Sequence, residues 1–469
     1  MSQVKIALRF DTEDYITKES NDALFEILKL LNRLDIKATF PLVGKKIQFL
    51  VQEERNDILR LLSGHSLGYH SYSHSRHPTI SERLAEVDWK NGISIFESSE
   101  FPGLELFREV LDKNPVCYTQ PGGNWVPHAF PVLYNWNIPI HFSEAWNSYL
   151  DLGYSPYYYQ DVLTWSAPVT APKPMLNRIP FLEEETITML SNRYNHLMEN
   201  NGGTILIVAH PTELVTLEYW DIVNFGSGMN HSRTVPRLRK KNDVKASIVS
   251  LERILKFLRS LPKVNFITAD DLIREFSFPS DNKTANYEQI EVLVRTITAG
   301  NTFGYLPFKN GYLSPAEAFS LLVQTAMNLT AGKQTECCIM HLSAPENNQK
   351  SPLKSNLKIN ARDFKGMIER TYISLTQGNI PSSISFQGIS IRPEEFAWTL
   401  AGYLLNYFSN GKFPVEVSLK AVEFTPRKCL KSLKDIHWDW PVFAPEFEPL
   451  NLYKAAEKQL WTLKPAVSS

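Results

Sequence analysis

The sequence is poor in cysteine, with four among 469 residues, and two of these, Cys337 and Cys338, are adjacent. The other two are Cys117 and Cys429, and no Cys-x-x-Cys spacing occurs. That pattern excludes a disulfide framework and a thiolate zinc site. Charge of either sign is not in excess: 49 Lys and Arg face 50 Asp and Glu, a formal net charge of −1. No electrostatic footprint therefore points to nucleic acid or an anionic membrane surface. No run of about 18 apolar residues is present, which argues against a membrane-spanning helix. The opening MSQVKIALRFDTEDY has no basic stretch followed by an apolar one, so no secretory signal is visible and a cytoplasmic location is expected, with export by another route left open. What remains is an ordinary globular composition, 43% hydrophobic and 21% charged, with length for about two to three domains.

Strand-like and helix-like patterns alternate from the start. VKIALRFD reads as a buried strand ending in an acid, and NDALFEILKLLNRLDI follows with apolar residues at helical spacing. KATFPLVG and SLGYHS are further strands; KKIQFLVQEERNDILRLL reads as one helix, and ISERLAEVDWKNGISIFES as another opened by Thr79 or Ser81. The alternation runs through VCYTQPGG, IPIHFS and GGTILIVAH to the strand VNFITA. About seven such units predict an α/β fold, a (β/α) barrel over residues 1–276, whose chemistry belongs at the carboxyl ends of its strands. Asp11, His70 and His210 each fall at or just beyond such an end.

Residues 277–289 are polar and turn-rich and read as a linker to an accessory domain, 290–469. Within it Glu291 and Glu369, Gly300 and Gly378, Asn301 and Asn379, Pro315 and Pro393, and Glu317 and Glu395 recur at a spacing of 78. This predicts a degenerate duplication (290–333 and 368–412) within a mainly helical domain. Each copy reads as a helix, a Gly-Asn stop, a short extended segment and a helix with proline in its first turn.

Three of the eleven histidines lie in SLGYHSYSHSRH, with His70 and His74 four apart. Such a pair can face one way, and neutral imidazole is the commonest side-chain ligand of zinc. A third ligand should be a carboxylate. RFDTEDY supplies Asp11, Glu13 and Asp14, acids that repel one another unless a cation or solvent neutralises them. In extended backbone Asp11 and Glu13 share one face and Asp14 takes the other. Glu13 is thus the preferred ligand with Asp14 as the alternative, and Asp11 is left as a base.

FDTED, GHSLGYHSYSH, TQPGGNW and LIVAHP come in the order and approximate spacing of the polysaccharide deacetylases (carbohydrate esterase family 4, the NodB homology domain), which the chain resembles over roughly residues 1–275. The resemblance implies metal binding by His70 and His74, Asp11 as catalytic base and His210 as general acid. It implies one divalent cation, zinc or alternatively cobalt or nickel. It also implies a groove wall at Gly122, Gly123, Asn124 and Trp125 in which the Gly122 N–H faces an oxyanion. Glu144 and Trp146 are added as substrate contacts from an aromatic-rich stretch between Trp125 and Trp165. Two positions depart from the family pattern. Thr119 stands where an arginine usually tethers the base, so Asn124 is considered as a substitute tether and Asp161 as the remnant of the acid that holds that arginine. Glu13-Asp14 stands where adjacent aspartates are usual.

The expected function is metal-dependent removal of N-acetyl groups from an amino sugar or glycan. The alternatives are hydrolysis of a small cyclic amide or ureide, or glycan binding on an inactive barrel. The stretch IPSSISFQGISIRPEEFAWTLAGYLLNY is faintly similar to pseudomurein-binding repeats. That leaves the C-terminal region a choice of partner between a cell-wall glycan and a second copy of the chain.

Overall fold

The computed structural model describes residues 3–144, 148–168, 176–276, 284–345, 353 and 356–468. The chain forms two units: Met1–Ser148, Thr164–Glu275 and Lys434–Leu452 make the first, and Tyr149–Leu163, Phe276–Leu433 and Tyr453–Ser469 the second. This differs from the contiguous division expected at 276 and 290. A late segment returns to the first unit, and residues 149–163 are given to the second. The expected linker lies outside the described residues up to 283; a helix begins at Tyr287.

The first unit is built on parallel strands β1 (Val4–Phe10), β2 (Thr39–Leu42), β3 (Ser66–Tyr69), β4 (Cys117–Thr119), β5 (Ile140–Phe142), β6 (Gly203–Ala209) and β7 (Val264–Ile267). β1 is central. β6 runs along its whole length, Val4 opposite Gly203 and Phe10 opposite Ala209. Its other edge is shared by β7, which pairs with Val4–Ala7, and by β2, which joins at Arg9. β2, β3, β4 and β5 follow in sequence order. Parallel strands require helical crossovers, which is why strand and helix patterns alternate in the sequence. Among the described residues no ladder joins β6 to β5, so the seven strands form an open (β/α)-barrel type of sheet.

Helix α1 (Glu19–Arg33) buries Ala23, Leu24, Ile27, Leu28 and Leu31, the apolar stripe the sequence showed. The helix expected over 45–62 is two, α2 (Gly44–Gln52) and α3 (Asn56–Leu62), because Glu54 takes a left-handed φ of 54°. The helix expected from Thr79 is also two. Thr79 and Glu82 form a reciprocal capping box on α4 (Ile80–Leu84), and the Asp88 carboxylate then accepts the Asn91 N–H at 3.0 Å to open α5 (Trp89–Leu111).

In the second unit the 78-residue repeat is visible as structure. Helix Tyr287–Thr298, hairpin Leu306–Phe308/Gly311–Leu313 and helix Pro315–Thr330 are matched by helix Ala361–Thr376, hairpin Ile384–Phe386/Ile389–Ile391 and helix Pro393–Asn410. Both proline-led helices carry glutamate at the third position, and each carboxylate accepts a backbone N–H, from Ser314 at 2.7 Å and from Arg392 at 3.1 Å. No helix among the described residues is long and apolar enough to cross a membrane.

Candidate metal and catalytic site

The carboxyl ends of β1, β3, β4 and β6 converge on a cavity of about 510 Å³ in the first unit. Beyond β3 the chain does not continue as a helix. Ser71 and His74 take left-handed φ values of 63° and 53°, and this irregular loop turns both imidazoles inward. His74 Nε2 lies 3.0 Å and His70 Nε2 3.5 Å from Glu13 Oε2, and all three side chains are buried. Among the described residues Glu13, His70 and His74 form the one group of three or more His, Cys, Asp or Glu side chains whose ligand atoms could share a metal ion; theirs lie within 4.8 Å of one another.

Each ligand is oriented from behind. His70 Nδ1 donates to the Thr119 carbonyl at 2.8 Å, which fixes the tautomer and leaves the Nε2 lone pair facing the cavity. His74 Nδ1 is bonded to Ser75 Oγ, which donates in turn to Asp221 Oδ2 at 3.2 Å. Glu13 Oε1 accepts from the Tyr219 hydroxyl at 2.6 Å and from the Trp220 indole N–H at 2.9 Å, so Oε2 is the oxygen presented to the imidazoles. Burial raises the Glu13 pKa, but His74 and His210 outweigh it and hold the group well below the usual carboxylate range. One carboxylate oxygen and two imidazole nitrogens with fixed tautomers fit a divalent cation such as zinc that keeps a coordination position open.

Asp14, the alternative ligand, is turned away as the alternation of extended backbone requires. Its Oδ1 accepts the N–H groups of Ile16 and Thr17, each at 2.9 Å, and its Oδ2 the Thr212 hydroxyl at 2.6 Å. Both its oxygens are engaged away from the imidazoles, and it is not in the group that could share an ion, which corrects its assignment to the metal.

Asp11 and His210 flank the triad. The Arg9 guanidinium lies 3.1 Å from Asp11 Oδ1 and donates to Asp11 Oδ2 at 3.2 Å, and its Nη2 also donates to Glu144 Oε1 at 2.8 Å. Burial raises the Asp11 pKa, yet Arg9, His70 and His210 bring it below its ordinary value. The tether missing at Thr119 is thus supplied two residues before Asp11, from β1 itself. Glu144 is the acid that holds it. Asn124 is not the tether, since its Nδ2 donates to the Pro121 carbonyl at 2.9 Å. Nor is Asp161 the holding acid: it belongs to the second unit, 3.0 Å from Lys464 Nζ and 2.8 Å from His341 Nδ1.

His210 donates through Nδ1 to Glu213 Oε1 at 2.9 Å, and its Nε2 is 3.8 Å from Asp11 Oδ2. Burial lowers its pKa, but Glu13, Glu213 and Asp11 more than offset this and push it up to about 9.

Gly122, Gly123, Asn124 and Glu144 line the cavity as expected wall residues. Trp125 does not: it is 1% exposed and packs on Phe130 and His141 at centroid distances of 4.9 and 5.4 Å, a core residue. Trp146 lies outside the described residues. Tyr149, Tyr157, Tyr158 and Tyr159 belong to the second unit and do not line this cavity.

One wall has no sequence signal at all. Asp439, Trp440 and Pro441 line the cavity, more than 200 residues after His210. Trp440 meets His74 edge-on at 5.6 Å and packs against Gly122, where a Cβ would come within 2.4 Å of the indole. Gly122, at a φ of 66°, is required here by its backbone as well as by this contact. The segment is held in place by Ser227 and Gly228, whose N–H groups donate to the Pro441 and Val442 carbonyls at 3.0 and 2.8 Å.

Residues 1–99 match the family model described as polysaccharide deacetylase. This stretch carries β1 to β3, Asp11, Glu13 and both metal-facing histidines, so the resemblance read from the motifs holds where those motifs are densest. Similar solved structures include Puue allantoinase, at 12% identity over 58% of this chain and 89% of that one, with a TM-score of 0.37. The peptidoglycan deacetylase PdaC from Bacillus subtilis is 14% identical over 58% and 90%, with a TM-score of 0.30. The Xyl-CE4 domain of a multidomain xylanase from the hindgut metagenome of Trinervitermes trinervoides is 13% identical over 58% and 89%, with a TM-score of 0.31. No curated protein matches the chain.

Proposed function

We propose that the protein is a metal-dependent amide hydrolase that removes an N-acetyl group from an amino sugar or glycan. The observation that carries this reading is the flanking of the Glu13–His70–His74 triad by an arginine-tethered carboxylate, Asp11, and a carboxylate-backed imidazole, His210. A divalent cation at the triad, zinc in the first instance, would lower the pKa of water and polarise the amide carbonyl. Asp11, kept as a carboxylate by Arg9, accepts the proton of the attacking water. His210 gives its Nε2 proton to the departing nitrogen, while Glu213 fixes the ring through Nδ1. By the resemblance to the polysaccharide deacetylases, the backbone N–H at Gly122 is the donor assigned to the oxygen on which charge develops, a kind of donor that contributes about 3–4 kcal/mol in other enzymes.

A second reading, a small cyclic amide or ureide as substrate, is favoured by Trp440. Its indole covers Gly122 and closes the end of the wall along which a long polymer would lie. The experiment is metal analysis of the purified protein with acetate release from a panel of N-acetylated sugars of increasing length, beside ring opening of cyclic amides. Metal with acetate release supports the first reading, and metal with ring opening alone supports the second. A protein that holds no divalent cation when supplied with excess would overturn both. Within the first reading, Asp11→Asn is expected to keep the metal and lose turnover, and His74→Ala to lose the metal.

A further inference from the structure

A second cavity, of about 440 Å³, opens in the first unit beside the metal loop and takes no part in the chemistry above. Its lining includes Lys45, Arg76, His231 and Arg233, with Tyr15 and Phe225 as an aromatic floor, and no carboxylate. The three permanent cations are close enough to act on one another: burial, then Arg76 and Arg233, hold the Lys45 ammonium below its ordinary range. The Lys45 ammonium lies 5.8 Å from the Tyr15 ring centroid and 5.9 Å from that of Tyr72, cation–π contacts at the outer end of their range, which supply no negative charge to the cluster.

None of Lys45, Arg76 and Arg233 has an ion-pair partner among the described residues; Arg233 makes one bond, from Nη2 to the Tyr15 carbonyl at 2.7 Å. Asp14 and Asp221, the acids that act together with Arg76 and Arg233 on the Tyr15 hydroxyl, are bonded elsewhere: Asp14 accepts from Ile16, Thr17 and Thr212, and Asp221 from Ser75. Like charges gathered in a concave site raise the free energy of the empty site and lower it when an anion enters. Two guanidinium groups with an ammonium match a tetrahedral dianion better than a single carboxylate, because each guanidinium can donate two parallel bonds. The volume is that of a small-molecule site, and the aromatic floor suits an attached ring.

We propose that this cleft is an anion-binding site, separate from the metal triad, that takes the phosphate group of a small molecule. The free ion and a phosphate ester share this chemistry and are told apart by the ligand used. The inference does not rest on the hydrolase reading.

The test is calorimetric titration of the full chain with inorganic phosphate, glucose 6-phosphate and uridine monophosphate. Saturable binding by at least one is expected, weakened about tenfold or more by Arg76→Gln, as loss of one charge-assisted contact implies. Arg76 donates no side-chain hydrogen bond to the described residues, so this substitution removes the charge without leaving a buried partner. Arg233→Gln should weaken binding likewise, and His74→Ala should leave it unchanged. Tighter binding of an ester than of free phosphate assigns the ester as ligand, and the reverse assigns the ion. Absence of saturable binding up to about 10 mM, affinity indifferent to both arginine substitutions, or loss of binding in His74→Ala would overturn the proposal. The last result would place the phosphate on the metal instead.

Discussion

Arg9 Nη2 and Glu144 Oε1 lie 2.8 Å apart across 135 residues of sequence, and the same guanidinium rests on Asp11. Three buried charges, two negative and one positive, therefore form one unit at the end of β1. Removing the central cation leaves two buried carboxylates unpaired. Arg9→Met is expected to cost about 3–5 kcal/mol of stability, measured by urea unfolding, and to lower kcat more than it changes KM. The double variant Arg9→Met/Glu144→Leu should recover a large part of the stability without the activity. A single variant as stable as the parent would show that the guanidinium does not hold these acids.

Glu13 and Asp14 are neighbours with different duties, and substitution separates them. Glu13→Gln should abolish stoichiometric metal binding. Asp14→Ala should retain it and cost about 1–3 kcal/mol, because the buried N–H groups of Ile16 and Thr17 lose their acceptor. Metal content and thermal unfolding measured on both variants decide the matter. Loss of metal in Asp14→Ala with the fold intact would reinstate Asp14 as a ligand.

How much of this was legible in the sequence differs by residue for physical reasons. The alternation of extended backbone put Asp11 and Glu13 on one face and Asp14 on the other, and the structure has them so. Arg9 was equally readable, since it precedes Asp11 by two on the same strand, but a strand arginine carries no motif of its own. His70 and His74 were visible as a pair, whereas the two left-handed residues that aim them were not. Trp125 looked like a groove residue because aromatic type alone does not distinguish a stacking surface from a core. The breaks at Glu54 and before Asp88 escaped because helical spacing persists across a single turn. Trp440 could not be found at all, since nothing local in a chain announces which distant loop its ring will cover.

Trp440→Ala should enlarge the cavity beside Gly122. For N-acetylated oligosaccharides the ratio of kcat/KM between long and short substrates is expected to rise about tenfold or more, as relief of a steric block of roughly 1.4 kcal/mol would give. Competition kinetics with a dimer and a hexamer measure it directly. An unchanged ratio, with metal content retained, would mean that the indole supports the site without limiting substrate length.

Glu100 in α5, whose carboxylate accepts the Tyr72 N–H between His70 and His74, offers a test of pH dependence. Burial pushes its carboxyl up to about 7 from an ordinary 4.5, against the opposing pull of the Tyr69 hydroxyl and the Tyr72 N–H. A raised pKa means that the folded state favours the neutral acid. The associated stability is fully present below pH 4.5 and is lost as pH rises through 7. Glu100→Gln cannot ionise, so its melting temperature relative to the parent should climb between these two pH values and level off above. A flat difference from pH 4 to pH 8 would show that the carboxyl titrates normally.

The return of Lys434–Leu452 to the first unit has a consequence for the making of this protein. During synthesis the ribosome releases the strands, the metal loop and His210 long before it releases Trp440, with almost the whole second unit emerging in between. The nascent sheet can thus bring Glu13, His70 and His74 together early, but the cavity they face stays a wall short until the final stretch of chain is out. A shortened protein cut at residue 276 would therefore be a cation-competent scaffold with an open-ended chamber, differing from the parent in selectivity before it differed in chemistry.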